Sequence, residues 1–245
     1  MFPLFRDLLD SQNCVICQQS IRSQERLLSL YEDKPAYQDI FAEARKLLCP
    51  TCLANLPYAD KPWFYLPSTE IPVAWVFNYE GGLKSAHLRL KFSRELIMAK
   101  VFAIFWAFRL EQLAFYPKLI VPIPLSEKRL RQRGYNQAEV LANNLGNYLG
   151  LRVESDILER CKETLPQTEM PNIKARQANL SGAFRLNPAL DKQLLKGIPI
   201  LVLDDVFTTG ATLIAAAQVL QAAGLNVRAM SLARQELIPE NTQKF

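Results

Sequence analysis

The stretch ILVLDDVFTTGAT, residues 200–212, runs four apolar residues into two adjacent aspartates, a Thr-Thr-Gly turn and the start of an Ala-rich segment. An apolar run of this length, bounded by turn residues, predicts a buried central strand. Two neighbouring carboxylates at its end repel each other, so neutral donors or a cation must compensate. The residues that follow, ATLIAAAQVLQAAG, predict a helix closed by Gly224. Ligands of open α/β sheets bind outside the carboxyl ends of the strands. A helix N-terminus offers unpaired amides to a phosphate. Asp204 and Asp205 are therefore candidate acceptors for sugar hydroxyls, with Thr208, Thr209, Gly210, Ala211 and Thr212 as a phosphate loop. A sugar diol next to its own phosphate presents the complementary pattern.

Outward from this stretch, strands alternate with helices. VAWVFNY (73–79), KLIVPIP (118–124), LRVESDILER (151–160) and NVRAMSLARQ (226–235) read as strands. GGLKSAHL through AFY (81–116) reads as helix-rich, with VFAIFWAF (101–108) part of a buried helix, and NQAEVLANNLGNYLG (136–150) as an amphipathic helix ending on glycine. This order predicts an α/β domain with a parallel sheet over residues 73–245. Residues 61–72 lie in a Pro-rich stretch that predicts a spacer or an edge segment. Residues 160–182 are polar and read as a loop.

Residues 1–60 carry two CxxC pairs, Cys14/Cys17 and Cys49/Cys52. Two such pairs on a chain with no secretory signal read as four thiolates around one structural Zn2+, a closed shell with no position left for a catalytic water. Cys161 lies outside the pattern and His87 is the single histidine, placed in a helical stretch as a structural residue.

The net charge of +5 is unevenly spread. Residues 84–134 hold eleven Lys and Arg against three acids. A basic block of this kind suggests an anionic partner such as phosphate, nucleotide or nucleic acid; a solvated basic helix face is the plainer alternative. The most apolar segment is far shorter than the roughly 20 residues a membrane span needs, so no membrane insertion and a cytoplasmic location are expected.

The 200–212 stretch is similar to the phosphoribosyl-diphosphate (PRPP) signature of type I phosphoribosyltransferases, a Rossmann-like fold. No GxxxxGK[ST] or GxGxxG motif competes with it. VPIPLSEKRLRQRGYNQAEVLA (121–142), LRLKFSRE (88–95), the spaced set Thr164, Gln167, Arg176, Asn179, Gly182 and Phe184, and the four-cysteine N-terminus together resemble the ComF (ComFC/GntX) family. MPNIKAR (170–176) departs from the Leu-Ser turn that relatives more often carry before the arginine.

The resemblance implies a zinc module ahead of a phosphoribosyltransferase-type domain. It implies a role in natural competence, the handling of incoming single-stranded DNA beside a helicase-like partner of the ComFA type. Asp204 and Asp205 would bind the ribose hydroxyls, the 208–212 loop the 5′-phosphate, and Ser126, Lys128 and Arg129 the diphosphate. Mg2+ would accompany PRPP. In catalysis it would act with Asp204, Asp205 and Arg133 as an oxocarbenium-like ribose forms and diphosphate leaves. Arg131 and Arg133 can reach either diphosphate or a DNA backbone. Asn136 and Gln137 can bind substrate or cap their helix, and Arg176 and Asn179 can close over the site or pack locally. Phe92 and Tyr135 are the aromatics best placed to meet bases. The alternative function is transfer of phosphoribosyl to an unidentified small acceptor unrelated to DNA uptake.

Overall fold

The structure, a computed structural model, describes residues 13–21, 38–65, 69–93, 95–162 and 182–235. Strands β1 (Phe64–Tyr65), β2 (Pro72–Asn78), β3 (Leu119–Pro122), β4 (Arg152–Val153), β7 (Ile200–Phe207) and β8 (Val227–Arg234) form one sheet in the order β1-β2-β8-β7-β3-β4. All neighbours are parallel except β1, which runs antiparallel to β2. The α/β parallel sheet expected from the strand–helix alternation is thus present. A second, antiparallel pair joins β5 (Leu158–Arg160) to β6 (Phe184–Leu186).

LRVESDILER is not one strand. Two short strands in different sheets are separated by a turn at Glu154–Asp156, where polar residues bond outward: Ser155 Oγ donates to Glu139 and the Asp156 carbonyl accepts from Asn187.

Helices cover both faces. α3 (Gly81–Phe92), α4 (Ile97–Gln112) and α6 (Gln137–Leu149) lie over one, and α7 (Ala211–Ala222) over the other. α4 is apolar all round and accordingly buried all round, with Phe102, Phe105 and Trp106 inaccessible at its centre. Its Arg109 is buried but satisfied, donating from Nε to Trp75 O (3.2 Å), from Nη1 to Gln112 (3.3 Å) and from Nη2 to Lys61 O. That guanidinium ties the Pro-rich stretch to β2. The stretch runs along β2 as an edge: Ala59 N donates to Val76 O (2.9 Å) and Asn78 N to Pro57 O (2.7 Å).

The cysteine segment, with α1 (Gln38–Arg45) and α2 (Pro50–Ala54), packs into the same hydrophobic cluster as α4 and α6 through Cys14, Val15, Ile16, Ala44, Leu48 and Cys49. Among the described residues no helix is long and apolar enough to cross a membrane.

Chain order creates the site. From β3 the chain crosses through α6 to β4 on one side, and from β7 it crosses through α7 to β8 on the other. The crevice between the carboxyl ends of β3 and β7 is therefore a topological switch point, the place where open α/β sheets take ligands. The close approach of α6 to β4 rests on Gly146, where a Cβ would lie 2.5 Å from Val153 Cγ2 and 3.0 Å from Leu151 O. Gly146→Ala should lower the Tm by roughly 2–5 °C, overpacking outweighing the gain in helix propensity. A Tm that is unchanged or higher by calorimetry would mean the 151–153 turn yields freely.

Candidate functional site

Two loops meet at the switch point. After β3, Ile123 N continues the ladder to Leu203 O, and the chain turns through Ser126 into α5 (Glu127–Arg133). After β7, Thr208 and Thr209 lead to Gly210, whose φ of +75° suits glycine and starts α7. Thr208, Thr209, Ala211 and Thr212 are all half-buried, and Thr209 Oγ1 accepts from Ala211 N (3.4 Å).

Successive residues of a strand alternate between its faces, but the Asp204 and Asp205 carboxyl groups stay close enough to share a side-chain hydrogen bond. Leu201 and Leu203 pack under α3, α4 and α6, and Asp205 continues that row. Ile200 and Val202 pack under α7, and Asp204 continues theirs. Asp205 is held on all sides. Its Oδ1 accepts from Val206 N (2.7 Å), and its Oδ2 accepts from His87 Nε2 (3.2 Å) and pairs with Lys91 Nζ (3.6 Å). His87 Nδ1 lies 3.0 Å from the Tyr79 hydroxyl. A carboxylate only accepts, so His87 donates from Nε2, and in the neutral ring Nδ1 accepts from Tyr79.

The compensation expected for the adjacent acids comes from these α3 side chains. Burial alone would raise the Asp205 carboxyl, but Lys91 and His87 hold it well below the usual carboxylate range. Burial, with the Asp205 charge adding to it, pushes Asp204 up to about 7. Burial and Asp205 push the Tyr79 hydroxyl up to about 12, so it remains a donor. Asp204 accepts from Asp205 N at Oδ1 (2.8 Å), its carboxyl group also meets that of Asp205 in a side-chain hydrogen bond, and the Lys91 charge acts on it against the rise.

His87 and Lys91 are the residues that sequence reasoning missed here. They stand four apart on one helix, so they share a face, and that face meets an acid 118 positions along the chain.

The basic residues of α5 separate by environment. Ser126 is buried as the helix cap, its Oγ accepting from Arg129 N (3.5 Å). Lys128 is exposed and Arg129 half-buried. Arg131 is exposed and pairs with Glu127 (3.0 Å). Arg133 turns inward: Nη1 donates to Gln137 Oε1 (2.8 Å), and the guanidinium lies 5.9 Å from the Phe92 ring. Burial lowers its pKa, while Asp205 pulls the other way. Asn136 caps α6, with Oδ1 accepting from Ala138 N and Nδ2 donating to Ile123 O. Gln137 is buried and its Nε2 lacks a partner among the described residues. Tyr135 donates its hydroxyl to Leu90 O, whereas Phe92 is 67% exposed. Thr164, Gln167, Arg176 and Asn179 lie outside the described residues.

On the opposite side of α3, Arg89 Nη2 donates to Val15 O and to Ile16 O (3.0 Å), within the first CxxC loop. The ligand atoms of Cys14, Cys17, Cys49 and Cys52 all lie within 4.8 Å of one another, and can hold a metal ion. Cys17 Sγ and Cys49 Sγ are 3.8 Å apart. A tetrahedron with metal–sulfur bonds of about 2.3 Å has edges of about 3.8 Å. Burial, with the charge of Cys14 adding to it, pushes the Cys49 and Cys52 thiols up, so a cation is what would let all four ionise together.

No family model matches the chain. Curated proteins do. Competence protein F of Haemophilus influenzae is 31% identical over 193 residues, 76% of this chain and 78% of that protein. DNA utilization protein YhgH of Salmonella typhi is 32% identical over 71% of each chain. Competence protein ComFC of Streptococcus pneumoniae is 27% identical over 90% of this chain and 99% of that one. Among solved structures, the chain is similar to Leishmania donovani UMP synthase (15% identical, TM-score 0.37), covering 86% of this chain and 34% of that one. It is also similar to adenine phosphoribosyltransferase of Leishmania tarentolae (13% identical, TM-score 0.36), covering 62% and 76%. Structural likeness this loose adds nothing to the strand order and site geometry above.

Proposed function

The chain belongs to the ComF family, and on that premise we propose that it is a PRPP-binding protein of natural competence that handles incoming single-stranded DNA in the cytoplasm. The observation that carries this reading is the switch-point crevice, where the Asp204–Asp205 pair and the Thr208–Thr212 loop close one side. The carboxylate pair suits the ribose hydroxyls, and the loop at the α7 N-terminus suits the 5′-phosphate. Arg133, Arg129 and Lys128, on α5 after β3, would supply the diphosphate side, with Mg2+ entering on the ligand's own oxygens. Arg176 and Asn179 would close over the ligand. Zinc, held by Cys14, Cys17, Cys49 and Cys52, is structural.

Turnover on a small acceptor is the second reading, and one observation bears on it. Cationic Lys91 and Arg133 near the acids favour departure of diphosphate. The lone histidine has both ring nitrogens engaged and offers no general base.

The test is thermal. PRPP with Mg2+ at about a hundred times its Kd should raise the Tm by roughly 5–10 °C, since a ligand of the native state alone stabilises it by mass action. No shift at saturating PRPP would sink the reading. Analysis of labelled PRPP for released diphosphate then separates binding from turnover.

A further inference from the structure

We propose that Gln137 is a positioning residue: its buried side chain holds the Arg133 guanidinium in place for the diphosphate group of the ligand. The ligand rests on the PRPP reading; the positioning is a property of the chain and can be tested without it.

Three observations carry the assignment. First, Gln137 occupies an apolar position. It opens the buried stripe of α6, with Ala138, Leu141, Ala142 and Leu145, and is 1% exposed. The helix does not need it as a cap, because Asn136 Oδ1 accepts from Ala138 N. Second, only half of its amide is matched. Oε1 accepts from Arg133 Nη1 (2.8 Å), whereas the buried Nε2 has no partner among the described residues. A buried donor in this state destabilises the fold, and leucine would be the better core residue there. The contact to Arg133 is what the glutamine provides and an aliphatic side chain does not. Third, the turn that brings the two side chains together is pinned on both sides. Gly134, at φ +78°, ends α5 and lets α6 follow directly. Asn136 Nδ2 donates to Ile123 O just past β3 (2.9 Å), and the Tyr135 hydroxyl donates to Leu90 O on α3. Gln137 therefore has a fixed place, and it passes that place on to a long side chain with many rotamers.

The forces on Arg133 call for such a hold. It is the last residue of α5 and half-buried; the Asp205 charge attracts it and the Arg129 charge repels it. The Phe92 ring borders it at 5.9 Å without an acceptor oxygen. An arginine that is already aligned loses less conformational entropy when an anion arrives, so the alignment is read in affinity.

The experiment compares Gln137→Leu, Arg133→Ala and the double variant, with PRPP plus Mg2+ and inorganic diphosphate plus Mg2+ as probes. Gln137→Leu should weaken binding of both probes about three- to tenfold. Its ligand-free Tm should stay unchanged or rise by up to about 5 °C. Lower affinity at equal or higher stability is an outcome that a purely structural role does not give. In the Arg133→Ala background, Gln137→Leu should bring no further loss, because it acts through the arginine. Relaxation of the Arg133 Nε–H NMR signal, assigned by its loss in Arg133→Ala, should show a restrained group in the wild type and a mobile one in Gln137→Leu. Gln137→Met, unbranched and similar in length, repeats the comparison if the leucine variant does not fold.

Unchanged affinity in Gln137→Leu, a lower Tm in both Gln137 variants, or an equal loss with and without Arg133 overturns the assignment. The last of these would make Gln137 a ligand contact in its own right. A wild type that binds neither probe overturns the PRPP reading alone, and the NMR comparison then decides whether Gln137 positions Arg133.

Discussion

Cys49→Ser is expected to lower the Tm by more than ~10 °C and to abolish binding of about one zinc per chain. The size follows from where Cys49 sits. It is fully buried, it caps α2 with its Sγ accepting from Cys52 N (3.4 Å), and it faces Cys17 across 3.8 Å. A structural zinc site contributes on the order of 10 kcal/mol at neutral pH. Most of that is lost when one of four thiolates goes, and the hydroxyl left behind is a poor ligand. The damage does not stay local. Val15 and Ile16 in the first CxxC loop belong to the main core, and their carbonyls accept from Arg89 on α3. Two residues either side of Arg89 stand His87 and Lys91, the partners of Asp205. Chelation of the wild type should therefore lower the Tm in parallel with metal loss and weaken PRPP binding as α3 loosens. Metal analysis and calorimetry on the same sample check this. Metal-free protein with an unchanged Tm, or disulfides between the pairs, would end the zinc reading.

The zinc spacing and the acid–loop motif are both local in sequence, which is why they are legible there. CxxC pairs declare themselves, and so does an apolar strand that ends in DD and TTG. The course of β7 into α7 follows from residues within one turn of each other. What escapes are relations between distant segments. Asp205 finds its counter-charges on α3, and the sequence shows only a histidine and a lysine four apart on a helix with a basic face. The informative signal was that i,i+4 pair taken together with an acid pair lacking any local compensation. The 151–160 stretch fails for the opposite reason. Its alternation reads as one strand, but Glu154–Asp156 turn outward to bond Glu139 and Asn187, contacts that strand propensity does not contain. Asn136 and Tyr135 were open candidates for ligand contact. One caps α6 and the other bonds Leu90 O, so backbone needs absorb both side chains.

Within the basic block, the environments of the α5 arginines predict a split in function. Arg131 is 73% exposed and its ion pair with Glu127 is exposed too, so that pair holds it weakly. Arg133 is oriented by Gln137 and Phe92 toward the acids. Arg131→Ala should therefore flatten the salt dependence of single-stranded DNA binding by about 0.7 in log K per log salt, one phosphate contact, and leave the PRPP shift intact. Arg133→Ala should do the reverse. With Arg129, Arg131 and Arg133 all replaced, the slope should fall by roughly 1.4 if Arg129 sides with DNA and about 0.7 if it sides with diphosphate. Phe92 stands exposed beside Arg133, free to stack on a base, and Phe92→Ala should cost about 1–3 kcal/mol of DNA affinity at every salt concentration. An offset that does not depend on salt distinguishes stacking from phosphate contact, because only the latter releases counterions. Titrations of oligonucleotide at several salt concentrations, paired with PRPP melting shifts on the same variants, measure both ligands at once. Equal loss of both in Arg131→Ala would mean that DNA and PRPP share one site rather than adjoining ones. A wild type without salt-dependent DNA binding at low ionic strength would remove nucleic acid as a direct partner and leave the basic rim of α3 and α5 to the diphosphate alone.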